Sequence, residues 1–166
     1  MHRSAFAYCR DFVEKYGDQF VGEPVLDVGS LDINGTVRRL FDEFTYVGLD
    51  QIPGKNVDVV CADRNYPFNS GGFGAAVSTS CFEHDTAFWK TFAEMVRVVR
   101  SGGFIYLNAP SNGPYHGYPG DCWRFYADAW GALAKETDGV ELVESYMGEK
   151  SGPAKWIDNV GVFRVG

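Results

Sequence analysis

Apolar positions in the first sixteen residues recur at helical spacing. Phe6, Cys9, Val13 and Tyr16 share one face, Arg10, Asp11, Glu14 and Lys15 take the others, and Gly17 follows as a stop. This predicts an amphipathic helix over residues 3–16. The period then changes: Pro24-Val25-Leu26-Asp27-Val28-Gly29 is a short apolar run closed by glycine, as in a strand buried on both faces. Val37, Leu40, Phe41 and Phe44 repeat at i, i+3, i+4 and i+7 with Arg38, Arg39, Asp42 and Glu43 between them, which predicts a second helix over residues 35–44. Residues 45–49 and 57–62 are rich in β-branched and aromatic side chains, end at Asp50 and Asp63, and read as the second and third strands. Residues 75–80 make a fourth. Asp85 or Thr86 can then cap a helix with Phe88, Phe92, Met95, Val96 and Val99 on one face, closed by Ser101-Gly102-Gly103. A fifth strand over 104–108, a helix over 127–135 and two last strands over 141–146 and 159–165 complete the pattern. Such an alternation implies an α/β fold, a doubly wound and mostly parallel sheet of seven strands with helices on both faces.

Residues 109–125 hold three prolines and three glycines among aromatic rings, with no periodicity. A loop of that length in a compact chain is usually functional. The 166 residues are 45% apolar, enough for one packed core and not two, so one domain is expected over 1–166. Fifteen Lys and Arg stand against 22 Asp and Glu, a formal charge of −7 without any basic block. Binding to a nucleic-acid backbone, which needs clustered cations, is therefore not expected. The charge-free stretches 65–82 and 101–120 are full of Gly, Pro, Ser and Asn and do not read as membrane spans. No apolar leader follows Arg3, and Cys9, Cys61, Cys81 and Cys122 are widely spaced. Reduced thiols in a cytoplasmic chain, without a metal site, are the expectation.

Open α/β sheets bind ligands beyond the carboxyl ends of their strands, where the strand order reverses. There the sequence places residues 27–35, Asp50, Asp63, Glu83-His84 and the long loop. Counting from Gly29, Leu31 and Asn34 stand where a dinucleotide-binding loop needs its second and third glycines, so a pyrophosphate cradle is not expected. One fixed glycine among small polar residues, with an acid inside the strand, suits a ligand with a cationic amino-acid group. Asp50, 21 residues after Gly29, lies where a carboxylate can accept hydrogen bonds from both ribose hydroxyls. An adenosine carrying an amino-acid tail satisfies both features.

Asp27-Val28-Gly29-Ser30-x-Asp32-x-Asn34-Gly35, Gly48-Leu49-Asp50, Ala62-Asp63-x4-Phe68, Ser80-x2-Glu83-His84 and Arg100-Ser101-Gly102-Gly103 follow one another along the chain. Together they resemble the successive motifs of class I S-adenosylmethionine-dependent methyltransferases, in the small type 11 branch. The resemblance implies a Rossmann-like sheet with an antiparallel last strand and S-adenosylmethionine as cofactor. It also implies that Gly29 lets the backbone approach the methionine part, Asp27 receives its ammonium group through water, Asp50 holds the ribose and Asp63 reaches the adenine amino group. Ser30, Asn34, Gln51, Arg64 and Ser80 complete the expected cofactor site. Ser30, Asp32 and Asn34 depart from the three glycines usual in the first loop. Glu83-His84 reads as part of the pocket wall or as a helix-start acid with a surface histidine beside it.

The long loop follows the fifth strand and can reach over the sulfonium, which makes it the expected acceptor site. His116 could take a proton from a hydroxyl acceptor, with Asp121 or Arg124 orienting it. Trp123 and Phe125 read equally as a small satellite core. The expected activity is methyl transfer to a small-molecule acceptor, such as a sugar hydroxyl; the alternative is a non-catalytic module that only binds the cofactor.

Overall fold

The structure, a computed structural model, describes residues 3–150 and 155–166. Helix α1 (Arg3–Tyr16) leads into β1 (Val25–Val28), β2 (Tyr46–Asp50), β3 (Val59–Val60) and β4 (Phe73–Thr79). Helix α2 (Phe88–Val98) and β5 (Val99–Pro110) follow, then α3 (Ala129–Lys135), β6 (Val140–Met147) and β7 (Asp158–Val165). The strands form one sheet in the order β3-β2-β1-β4-β5-β7-β6. β1 to β5 pair in parallel, and β7 runs antiparallel to both β5 and β6. The last strand therefore has the direction expected.

Side-chain alternation explains why both faces are covered. Val25, Ala75, Val77, Phe104, Tyr106, Val160 and Val162 point to one face, where they pack with Cys9, Phe12 and Tyr16 of α1. Their neighbours Leu26, Val28, Ala76, Ile105, Leu107, Phe163 and Val165 point to the other and meet Phe92, Met95 and Val98 of α2 and Trp130 and Leu133 of α3. A strand with period-two side chains and helices on both sides must be apolar throughout, which is why β1 and β5 read as continuous runs.

Three elements differ from the sequence pattern. Residues 35–44 form only a short 3-10 turn at Arg38–Phe41. Its bonds are of the i to i+3 kind, from Leu40 N–H to the Val37 carbonyl and from Phe44 N–H to the Phe41 carbonyl. One tight turn already buries Val37 and Phe41, and so short a segment gains little from extending a costly helical nucleus. The third strand is Val59–Val60 alone, paired only with β2 at the sheet edge. Ser101, Gly102 and Gly103 lie inside β5 rather than ending a helix. The helix stops at Val98 because Val99 is already extended and pairs with Phe73 of β4. Gly102 then takes φ +74°, a conformation that costs a side-chain-bearing residue energy. Along residues 61–72, the Arg97 guanidinium donates to the carbonyls of Phe68 and Tyr66 at 2.9 and 3.1 Å and fastens the segment to α2.

Candidate active site

A cleft of about 1010 Å³ opens at the carboxyl ends of β1, β2 and β4. It lies where the strand order turns from β1 toward β4. Asp27, Gly29, Ser30, Asn34, Asp50, Gln51, Arg64 and Ser80 all line it, and so does His116 from the long loop. Gly29 leaves β1 at φ +81°, and its N–H donates to the Leu49 carbonyl at 2.9 Å. A Cβ there would fall against Cys81 Sγ and 2.6 Å from Cys81 Cβ, so both the turn and the packing demand glycine. Asp50 ends β2 and accepts the Leu31 N–H at 3.1 Å on one oxygen and the Gln51 N–H at 2.7 Å on the other. Its carboxylate thus ties the first loop to β2, with lone pairs left over for a ligand.

Asp27 is buried and accepts a hydrogen bond from the Tyr46 hydroxyl. Burial pushes its carboxyl up to about 7, against the Tyr46 hydrogen bond and Arg38, while the Asp50 charge adds to the rise. The folded chain therefore keeps a proton there from about pH 4 to 7 that the unfolded chain has released. This group costs stability as pH rises through that window. Asp27→Asn should gain about 2–4 kcal/mol relative to the parent between about pH 5 and 8, followed by urea unfolding. Parallel pH profiles for the two proteins would show that Asp27 titrates as an ordinary carboxylate.

The loop is fastened beside the exit of β4. The N–H groups of Cys122 and Trp123 donate to the Glu83 carbonyl at 2.7 and 3.1 Å, and the Trp123 indole N–H donates to the Asp85 carbonyl at 2.8 Å. Phe125 is buried and stacks on Trp130, so it serves the core, while Trp123 anchors the loop. Arg124 Nη1 donates to Asp121 Oδ1 and the Trp123 carbonyl, and Nη2 donates to Asp121 Oδ2 and the Pro114 carbonyl. That guanidinium, with the His116 amide donating at 2.8 Å, holds the Asp121 carboxyl far below the usual carboxylate range. His116 Nδ1 lies 3.1 Å from Asp121 Oδ2 and 3.3 Å from Arg124 Nη2. Both Nη2 protons already have oxygen acceptors, so the Nδ1 proton belongs toward Asp121 and Nε2 is left as a lone pair.

The profile of the family described as "methyltransferase domain", Methyltransf_11, matches residues 26–107. Those residues carry the methyltransferase domain of the type 11 branch, among the class I S-adenosylmethionine-dependent methyltransferases. Among solved structures, the methyltransferase is similar to the 1,6-didemethyltoxoflavin-N1-methyltransferase of Burkholderia thailandensis, solved with bound 1,6-didemethyltoxoflavin and S-adenosylhomocysteine. The two share 16% identity and a TM-score of 0.73 over 98% of this chain and 78% of that one. It is also similar to phosphoethanolamine N-methyltransferase 2 of Haemonchus contortus in complex with S-adenosylmethionine, at 14% identity and a TM-score of 0.65 over 93% of this chain and 51% of that one. A third similar structure is the [4+2]-cyclase SpnF, at 14% identity and a TM-score of 0.67 over 95% of this chain and 81% of that one. No curated protein sequence matches the chain.

In this methyltransferase one of the expected cofactor residues stands apart from the cleft. Asp63 is exposed and turned onto its own loop, accepting the Asn65 N–H at 3.0 Å and the Cys61 thiol at 3.4 Å. Arg64 lines the cleft but is paired with Asp85. Asp121 and Arg124 do not line it; they reach it through His116. Glu83 and His84 are the residues whose place the sequence left open. Glu83 is 1% exposed, its Oε2 has no hydrogen-bond partner, and burial pushes its carboxyl up to about 8, with the Asp158 charge adding. His84 sits beside it with Nε2 3.7 Å from Glu83 Oε1, and its ring lies 5.0 Å from that of His116. Because 32 residues separate His84 from His116, spacing along the chain carried no sign of this cluster. Cys9, Cys61, Cys81 and Cys122 are unpaired with one another, and among the described residues no helix is long and apolar enough to cross a membrane.

Proposed function

We propose that this methyltransferase moves the methyl group of S-adenosylmethionine to a hydroxyl of a small molecule, such as a sugar or a similar metabolite, inside the cleft. The observation that supports the reading is that one cavity is lined both by Asp27, Gly29 and Asp50 and by His116, which is held by Asp121. The cofactor supplies an electrophilic methyl on a sulfonium. Asp50 and the first loop hold the nucleoside, and Asp27 takes the side of the amino-acid group. As the new O–CH3 bond forms and the S–CH3 bond breaks, His116 Nε2 accepts the acceptor's proton. Tyr115 and Tyr118 border the same cavity, where aromatic faces favour a cation and exclude water.

Mass spectrometry of the purified protein, with ligands released by denaturation, tests the reading by detecting a co-purified nucleoside and any second compound. Calorimetry adds a quantitative arm. Asp50→Ala should weaken S-adenosylhomocysteine binding by about 1.5–3 kcal/mol, the worth of charge-assisted bonds to the ribose; unchanged affinity removes Asp50 from the site. A second reading, a module that binds the cofactor without transferring its methyl, draws on the likeness to a cyclase named for a different reaction. Cofactor binding without turnover over a broad panel of hydroxyl acceptors would favour it.

A further inference from the structure

We propose that Glu83, His84 and His116 form a binding site for one divalent transition metal of the zinc type. One ligand atom from each lies within 4.8 Å of the others. In a tetrahedral site with bonds of about 2.1 Å the donor atoms stand about 3.4 Å apart, so side-chain movements of about 1 Å close the trio. Two imidazoles and one carboxylate, with a coordination position left open, are a donor set suited to zinc, cobalt or iron(II).

Three further features fit a ligand role. The Glu83 side chain is 1% exposed, borders the cleft and has an Oε2 with no hydrogen-bond partner, an arrangement that a cation would satisfy. His84 Nδ1 lies 2.5 Å from the Gly120 carbonyl, an oxygen that can only accept, so the proton is on Nδ1 and Nε2 carries the lone pair. Asp121 fixes the same tautomer at His116. Outer partners of this kind, a backbone carbonyl on one histidine and a carboxylate on the other, are what orients metal-binding imidazoles. The base role proposed above for His116 belongs to the metal-free protein; with an ion bound its lone pair is engaged, and an acceptor oxygen in the open position would be acidified by the ion. Metal binding itself requires no methyl transfer.

The test titrates the metal-free full chain with Co2+, reading its visible ligand-field bands and the metal retained after dialysis. One equivalent of Co2+ should bind and be displaced by Zn2+. Glu83→Gln, His84→Ala and His116→Ala should each raise the Kd at least about tenfold while S-adenosylhomocysteine affinity, read by calorimetry, stays within about twofold. Should Glu83→Gln fail to fold, the two histidine variants at partly exposed positions decide alone. No stoichiometric Co2+ binding by the parent protein, or binding unchanged in both histidine variants, overturns the proposal. Failure to bind S-adenosylhomocysteine would count against the cofactor site and leaves the cobalt result to be read by itself.

Discussion

Replacing His116 by alanine should lower kcat by about a hundredfold or more and leave cofactor affinity nearly unchanged, the usual size of a general-base effect. The expectation follows from how the ring is held. Asp121 takes the Nδ1 proton, and Arg124, whose two Nη groups are engaged by Asp121 and two carbonyls, locks that carboxylate in place. Nε2 is thereby presented as an acceptor. Asp121→Asn should cause a smaller loss, since it lets the ring turn while keeping it in place. Turnover would be followed with the true acceptor across about pH 6–9, where a histidine acts as base. Wild-type turnover by His116→Ala would leave alignment alone as the source of catalysis.

The second large effect is on stability. The resemblance gives Gly29 the part of letting the backbone approach the cofactor, a role that by itself would leave folding indifferent to a bulkier residue there. Its surroundings argue otherwise, since the new Cβ would be pressed against Cys81 in a left-handed backbone conformation. A left-handed residue costs about 1–2 kcal/mol, and overpacking about 1–3 kcal/mol more. Gly29→Ala should therefore lose about 2–5 kcal/mol of unfolding free energy in urea, and Gly29→Val more. Adding Cys81→Ala should return only part of the loss, because the Cys81 Cβ remains close. A Gly29→Ala variant within about 0.5 kcal/mol of the parent would mean that the strand ends relax around the added atom.

Much of the fold was legible because burial on two faces leaves a strong trace. β1, β4 and β5 are apolar at successive positions, and α1 and α2 carry clean stripes. What the sequence hid was tertiary. The spacing of Val37, Leu40, Phe41 and Phe44 is real, but four side chains can reach a core from one 3-10 turn as well as from a longer helix. Gly102-Gly103 has the composition of a helix stop, yet its place is decided by pairing between Phe73 and Val99 far away in sequence. The wall of the cleft formed by Asp27, Gly29, Asp50 and Ser80 was readable because these residues stand at strand ends in order. Asp63 follows a strand end too, but that strand is short and lies at the sheet edge, and its carboxylate caps a local turn. The Glu83, His84 and His116 cluster could not be read, since it depends on the loop folding back onto the exit of β4.

That fold-back also bears on how acceptor choice can change. The loop backbone is tied to Glu83 and to Pro110 by amide hydrogen bonds, whereas Tyr115 and Tyr118 are 77% and 57% exposed. Their side chains contribute little to the core, so replacing them costs little stability. On the proposed reaction, frame and recognition surface are thus separable: mutation can explore new ring sizes and polarities at the two tyrosines while the His116 imidazole stays in register. A library confined to those two positions would search for new acceptors without first needing a stabilised parent.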